Sequence, residues 1–179
     1  MSEFELKESV RQRKSFTACL LNVLLVVIVG AVTFFVVPLA AQVFRVQGDS
    51  MAPTLQGGQL LFVNRLAYQF GEVKHGDVVV FRSPDNSGFV LIKRIIALPG
   101  ERFFIDRGIV SVNDERIAEP YVAERGLTQF GPMTMKAGTV FVLGDHRLVS
   151  NDSRDWGALP VEYIIGRAEF SIWPPEPVS

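Results

Sequence analysis

No residue between Lys14 and Arg45 carries a charge. Its densest part, LLNVLLVVIVGAVTFFVVPLAA, reaches the length of about 20 apolar residues that crosses a bilayer. The stretch therefore predicts a transmembrane helix over residues 15–44, with 1–14 as a short segment before it. Lys7, Arg11, Arg13 and Lys14 precede the run, and after Arg45 the next basic residue is Arg65. Basic flanks stay in the cytoplasm, so the expected topology is a single pass: N-terminus inside, residues 45–179 outside. A cleavable leader has a shorter apolar core, roughly 7–15 residues, and ends in a small-x-small site that PLAAQ does not supply. FTAC at Phe16–Cys19 faintly resembles a lipoprotein acylation site, but it lies before the apolar core rather than after it. Pro38 is expected to kink the helix near its outer end.

From residue 45 onward the pattern becomes strand-like. QLLFVNRLA, DVVVFRS, FVLIKRIIAL, GIVSVND, GTVFVLG and AEFSIW are short, rich in β-branched or aromatic residues, and bounded by turn formers. No window sustains a 3.6-residue period. The expected class is mostly β: an antiparallel sheet or barrel domain over 45–179. Residues 102–138 are more polar, contain Pro120 and Pro132, and read as an inserted small β lobe. The proline-rich tail IWPPEPVS reads as irregular.

Composition narrows the chemistry. The 18 Lys and Arg against 19 Asp and Glu give a net charge of −1 with no basic field, which argues against a nucleic-acid partner. One cysteine, Cys19, excludes an internal disulfide. With two histidines and no thiol after Cys19, an all-protein zinc site is not expected.

The octapeptide GDSMAPTL begins three residues after Arg45 and places Ser50 in a turn-prone setting. A serine hydroxyl attacks carbonyls only when a base removes its proton. The chain offers two bases, His146 in LGDHRLVSNDSRDWG and Lys93 in FVLIKRIIALPGE. Lys93 interrupts an apolar strand, with Leu91 and Ile95 on its own face and Ile92 on the other. A lysine there either guards a sheet edge and snorkels to water, or is buried with a depressed pKa and serves as a base. Serine–lysine pairs are a known variant of the serine–base arrangement. Ser50 could equally be a turn residue, and spacing alone does not choose between the two bases.

GDSMAPTL, GDVVVF, KRIIALPGE and GDHRLVSNDSRDWG occur in that order after one N-terminal span. Together they resemble the type I (leader) signal peptidases of bacterial membranes, and the four blocks run from Gly48 to Gly157. The segment 102–138 carries no block. The resemblance implies Ser50 as nucleophile, Lys93 as general base and Ser150 as the serine that orients Lys93. It implies Asp152 and Arg154 as a supporting pair, and the Ser50 backbone N–H as an oxyanion donor. It implies an acyl-enzyme mechanism without metal or cofactor. Secretory preproteins and the lipid bilayer are the implied partners, at the cell membrane, with an apolar surface beside the site. Two positions depart from the pattern. Gly48 stands where some members carry a second oxyanion donor, a hydroxyl. His146 stands where asparagine is usual. The alternatives are a specialised serine–lysine processing peptidase of the pilin or conjugation type, and a membrane-anchored module that binds without cutting.

Overall fold

The computed structural model describes residues 20–35, 40–85, 88–173 and 175–178. The chain forms two compact units, Met1–Ala40 and Ala41–Ser179. In the first, residues 20–35 are helical and exposed. Among the described residues, no helix is long and apolar enough to cross a membrane. Segments 1–14, 15–19 and 36–39 of the expected topology, with Pro38 among them, lie outside the described residues. At its far end the expected span overshoots. Ala41–Arg45 form strand β1, paired with β2 (Leu60–Asn64), so the outer unit begins at Ala41. Absence of charge was the only boundary signal, and AQVF of β1 is as uncharged as the helix before it.

The second unit is mostly β, and all its strand pairings are antiparallel. Its larger sheet runs β1, β2, β11 (Ile164–Trp173), β3 (Val78–Arg82), β4 (Val90–Ala97), β9 (Thr139–Leu143) and β10 (Leu159–Pro160). No pairing joins the ends of this path among the described residues. β12 (Pro175–Pro177) pairs with β11, so the tail expected to be irregular adds a short strand. Proline is tolerated there because a sheet edge has backbone positions that need not donate to a neighbour. A four-stranded sheet occupies residues 102–134, in the order β7 (Glu115–Arg116), β6 (Ile109–Val112), β5 (Arg102–Asp106), β8 (Phe130–Thr134). Asn113 and Asp114 close the β6–β7 hairpin with φ of 52° and 68°, the left-handed pair that a two-residue turn requires.

β3 shows how the larger sheet is held. Val78 and Val80 enter one apolar cluster with Met51, Leu55, Leu61 and Val63; Val79 and Phe81 enter another with Ile95, Val140 and Leu159. Successive strand residues face opposite ways, so a run of four apolar residues buries both faces. Phe103 of the smaller sheet meets Phe141 of β9 at 4.1 Å between ring centroids, and Phe130 meets it at 5.1 Å. Such aromatic contacts are worth about 0.5–1.5 kcal/mol each beyond area burial, and they fix β9, whose C-terminal end leads into the GDHR loop.

β4 carries the feature that matters most for a binding surface. One edge pairs with β3 from Val90 to Arg94. The other edge pairs with β9 only from Arg94 to Ala97. From Val90 to Lys93 that second edge has no strand partner among the described residues.

Candidate active site

Ser50 lies in the turn that follows β1. Met51 and Leu55, 2% and 1% exposed, plug this turn into the core, and the Leu55 N–H donates to the Met51 carbonyl at 2.9 Å. The apolar positions flanking the serine therefore fix the loop from below while Ser50 stays half-buried at its rim. Gly48 has a φ of +72°, a conformation that side-chain-bearing residues avoid, and space around it is open.

Lys93 Nζ donates to Ser50 Oγ at 2.7 Å. The lysine is 3% exposed, opposite the fully buried Val79. Desolvation is the main influence on its amine and lowers the pKa. The carboxylates of Asp152 and Asp145 raise it in part and the Arg154 guanidinium lowers it again, leaving it at about 8. An ammonium taken out of water loses hydration that two distant, already paired carboxylates do not replace.

Those carboxylates are engaged elsewhere. Asp152, fully buried, accepts a two-pronged contact from Arg154 at 2.8 and 2.9 Å, and the Gly144 N–H at 3.0 Å. It also caps the single-turn helix Ser153–Trp156, with Asp155 returning the bond to the Asp152 N–H at 3.0 Å. Asp145, 1% exposed, accepts from both prongs of Arg94 at 2.9 and 2.7 Å and from the Thr54 hydroxyl at 2.6 Å. Arg94 points away from Lys93 on the same strand, so one dipeptide supplies the amine and the cation that holds the nucleophile's turn to the GDHR loop. Charge was a visible signal here, but Arg94, Asp145 and Thr54 were absent from the expected site.

The remaining expected residues fall around the same point. The His146 N–H donates to the Ser50 carbonyl at 3.1 Å, and its ring Nδ1 lies 3.3 Å from the Asp49 carbonyl. A carbonyl only accepts, so the imidazole donates there and is not the partner of the serine hydroxyl. Ser150 packs against Gly144, and its buried Oγ has no hydrogen-bond partner. The expected bond from Ser150 to Lys93 is thus not formed in this structure. The Ser50 N–H makes no hydrogen bond among the described residues. A cleft of about 450 Å³ opens beside the pair, walled by 43–48 on one side and 88–93 on the other.

The family model described as signal peptidase, peptidase S26, matches residues 19–173. Signal peptidase I of Bacillus caldolyticus is 37% identical over 145 residues, covering 73% of this chain and 79% of that protein. A probable signal peptidase I-1 of Synechocystis is 38% identical over 136 residues, 72% of this chain and 69% of that one. A chloroplast thylakoidal processing peptidase of Arabidopsis thaliana is 38% identical over 144 residues, 75% of this chain and 42% of its own longer chain. The match spans the blocks that hold Ser50, Lys93 and the loop 144–157, and with it the chain belongs to the S26 family of signal peptidases, which are serine peptidases of the signal peptidase I type.

Proposed function

We propose that this chain removes N-terminal signal peptides from secreted precursors, with Ser50 as nucleophile and Lys93 as general base. The observation that carries the reading is the 2.7 Å contact between Lys93 Nζ and Ser50 Oγ, made by a lysine that is 3% exposed. Neutral Lys93 takes the Ser50 proton as Oγ attacks the scissile carbonyl. The ammonium returns that proton to the leaving amine, and an ester links Ser50 to the signal peptide. Neutral Lys93 then takes a proton from water as that water attacks the ester carbonyl, and gives it to the departing Ser50 Oγ, which releases the signal peptide with a free carboxyl end and regenerates Ser50 and neutral Lys93. The free Ser50 N–H is the donor we assign to the oxyanion. An oxyanion donor contributes about 3 kcal/mol, and Gly48 adds no side-chain donor beside it. Ser150 is assigned to orient Lys93: its buried hydroxyl has no hydrogen-bond partner and sits against Gly144, so it is available to the amine once the site adjusts to substrate. Asp152 and Arg154 support the loop that carries it, and Arg154 offsets the pull of Asp152 on the ammonium.

The free edge of β4 from Val90 to Lys93 suits a substrate bound as an added strand, with main-chain bonds giving affinity and alternate side chains giving selectivity. Residues one and three before the cut then face the cleft, and the residue between them points outward. The cleft is walled by two backbone segments, 43–48 and 88–93, and in this reading the pockets along it are shallow, admitting small side chains and rejecting bulk. Purified protein in detergent, given a precursor panel, should cleave after alanine. Ala→Leu or Ala→Phe immediately before the cut should stop processing, and the same change one residue earlier should do little. Efficient cleavage after a large aromatic residue would remove signal peptides as the substrate class.

We assign the protein to the membrane, N-terminus in the cytoplasm, with the catalytic unit outside. The uncharged run 15–44 with its basic N-terminal flank supports this. So do Val43, Phe89 and Val90, exposed apolar side chains at the cleft, 53%, 69% and 44% accessible. Protease added to spheroplasts should digest the catalytic unit while an epitope on residues 1–14 survives. Loss of that epitope in intact spheroplasts would reverse the topology.

A further inference from the structure

The connection between β7 and β8, residues 117–129, has no regular structure and carries no sequence block of the family. It nevertheless holds a carboxylate that is completely enclosed: the Glu119 side chain is 0% exposed. An enclosed carboxylate without partners is strongly disfavoured, so its partners define why it is there. Arg147, only 2% exposed, meets Glu119 with both prongs. Arg125 approaches at 3.5 Å and the Tyr121 hydroxyl at 3.4 Å. Arg147 directly follows His146, and its Nε donates to the Gly144 carbonyl at 3.1 Å. Gly144 in turn donates to Asp152, and the His146 N–H holds the Ser50 carbonyl. A second contact runs in parallel: the Arg94 guanidinium lies 4.0 Å over the Tyr121 ring while it grips Asp145.

We infer that Glu119 and Arg147 are positioning residues for the peptidase reaction, forming a clasp between the connection 117–129 and the loop 144–150. The carboxylate fixes the plane of the guanidinium, and the third edge of that plane fixes the Gly144 carbonyl. The loop is thereby set at the height from which His146 steadies the nucleophile's backbone and Gly144 steadies Asp152. Lysine cannot replace arginine in this role, because a point charge that pairs with Glu119 has no second, fixed donor for Gly144. The clasp touches neither the 43–48 wall nor the 88–93 wall of the cleft, so it acts on turnover and not on substrate capture. This inference rests on the Ser50–Lys93 reading.

The test is steady-state cleavage of a precursor by the full chain in detergent, with thermal melting of each variant. Arg147→Lys keeps the ion pair and is expected to melt within a few degrees of the parent. Its kcat should fall about 10- to 100-fold, the usual penalty for a small misplacement of reacting groups, with KM within about twofold. Glu119→Gln should show the same kcat loss together with a lower melting temperature, because it leaves a buried guanidinium without its counter-charge. If Glu119→Gln does not fold, Arg147→Lys decides alone. Unchanged kcat in folded Arg147→Lys, or a loss confined to KM or to melting temperature, overturns the clasp. Ser50→Ala in the same assay separates the two levels. If it is dead while Arg147→Lys is normal, only the clasp falls; if Ser50→Ala still cleaves, the dyad falls and the clasp with it.

Discussion

Replacing Lys93 with methionine should abolish cleavage and make the protein more stable. The activity loss follows from the contact with Ser50. Without a base the hydroxyl keeps its proton, and knocking out one member of such a unit costs on the order of 10⁴- to 10⁶-fold in kcat. Ser50→Ala should cost as much, and the double variant no more than either single one, since the two groups act in one step. His146→Ala should retain most activity, because its ring faces the Asp49 carbonyl. A dead His146→Ala beside an active Lys93→Met would reverse the assignment of the base. The stability gain follows from burial. Lys93 has its folded-state pKa lowered to about 8, below its unfolded value, so folding must carry an ammonium into a site that disfavours it. That penalty is fully present below about pH 8. It disappears as pH rises toward the unfolded pKa, because only the unfolded chain then still holds the proton. A depression of this size corresponds to about 3 kcal/mol. Methionine fills similar volume without the charge, and Asp152 and Asp145 keep Arg154 and Arg94 as partners. The Lys93→Met variant should therefore melt several degrees above the parent at pH 7, with the gap closing by pH 10. A variant that melts lower at pH 7 would mean that the ammonium is not desolvated.

The same depressed pKa sets the direction of the activity profile. Only neutral Lys93 can take the proton, so kcat/KM should climb about tenfold between pH 7 and pH 9 and then level off. An optimum near pH 5 would require a protonated group instead.

Much of this site was legible because catalysis forces violations of local rules. A lysine inside VLIKRIIA breaks the apolar pattern of a strand, and no reading of β4 passes over it. Ser50 was legible only through its block, since serine in a turn is ordinary. Six strands of the larger and smaller sheets announced themselves as short β-branched or aromatic runs between turn formers. β1 did not, because the uncharged residues 41–44 continue the composition of the helix before them. β12 did not, because two of its three residues are prolines, which ordinarily argue against a strand. The charged core was hidden for a different reason. Arg94, Asp145, Glu119 and Arg147 look like surface residues one at a time. They are buried only as pairs, and the partners lie 51 and 28 residues apart in the chain. No local pattern encodes that separation, and the polar look of 102–138 concealed Glu119, the carboxylate that reaches back to Arg147 of the catalytic loop.

Gly144→Ala should lose about 100-fold or more in kcat, an effect expected of an ångström-scale displacement, although alanine is the smallest change available. The backbone at Gly144 is not left-handed, so conformation is no obstacle; space is. A methyl group there would lie 2.2 Å from Ser150 Oγ, 2.5 Å from Ser150 Cβ and 2.5 Å from the Ser50 carbonyl oxygen. The hydroxyl can rotate away. The other two atoms are fixed to the main chain, and each must retreat by about 0.5 Å to reach even the 3.0 Å that real side chains respect. Relief therefore separates the loop 144–150 from the turn that presents Ser50, and stretches the 3.1 Å bond from the His146 N–H to the Ser50 carbonyl. Overpacking of this kind costs about 1–3 kcal/mol in stability, so the variant should still fold. Removing the hydroxyl as well, in Gly144→Ala/Ser150→Ala, should not restore turnover, because the Ser50 carbonyl still blocks the methyl. Gly138→Ala is the contrasting case. Its φ is +72° but nothing lies within 4 Å, so it should lose about 1 kcal/mol of stability and keep its kcat. Equal kcat in Gly144→Ala and the parent, measured per folded molecule, would show that the loop and the nucleophile's turn are not in the close contact on which Ser50 depends.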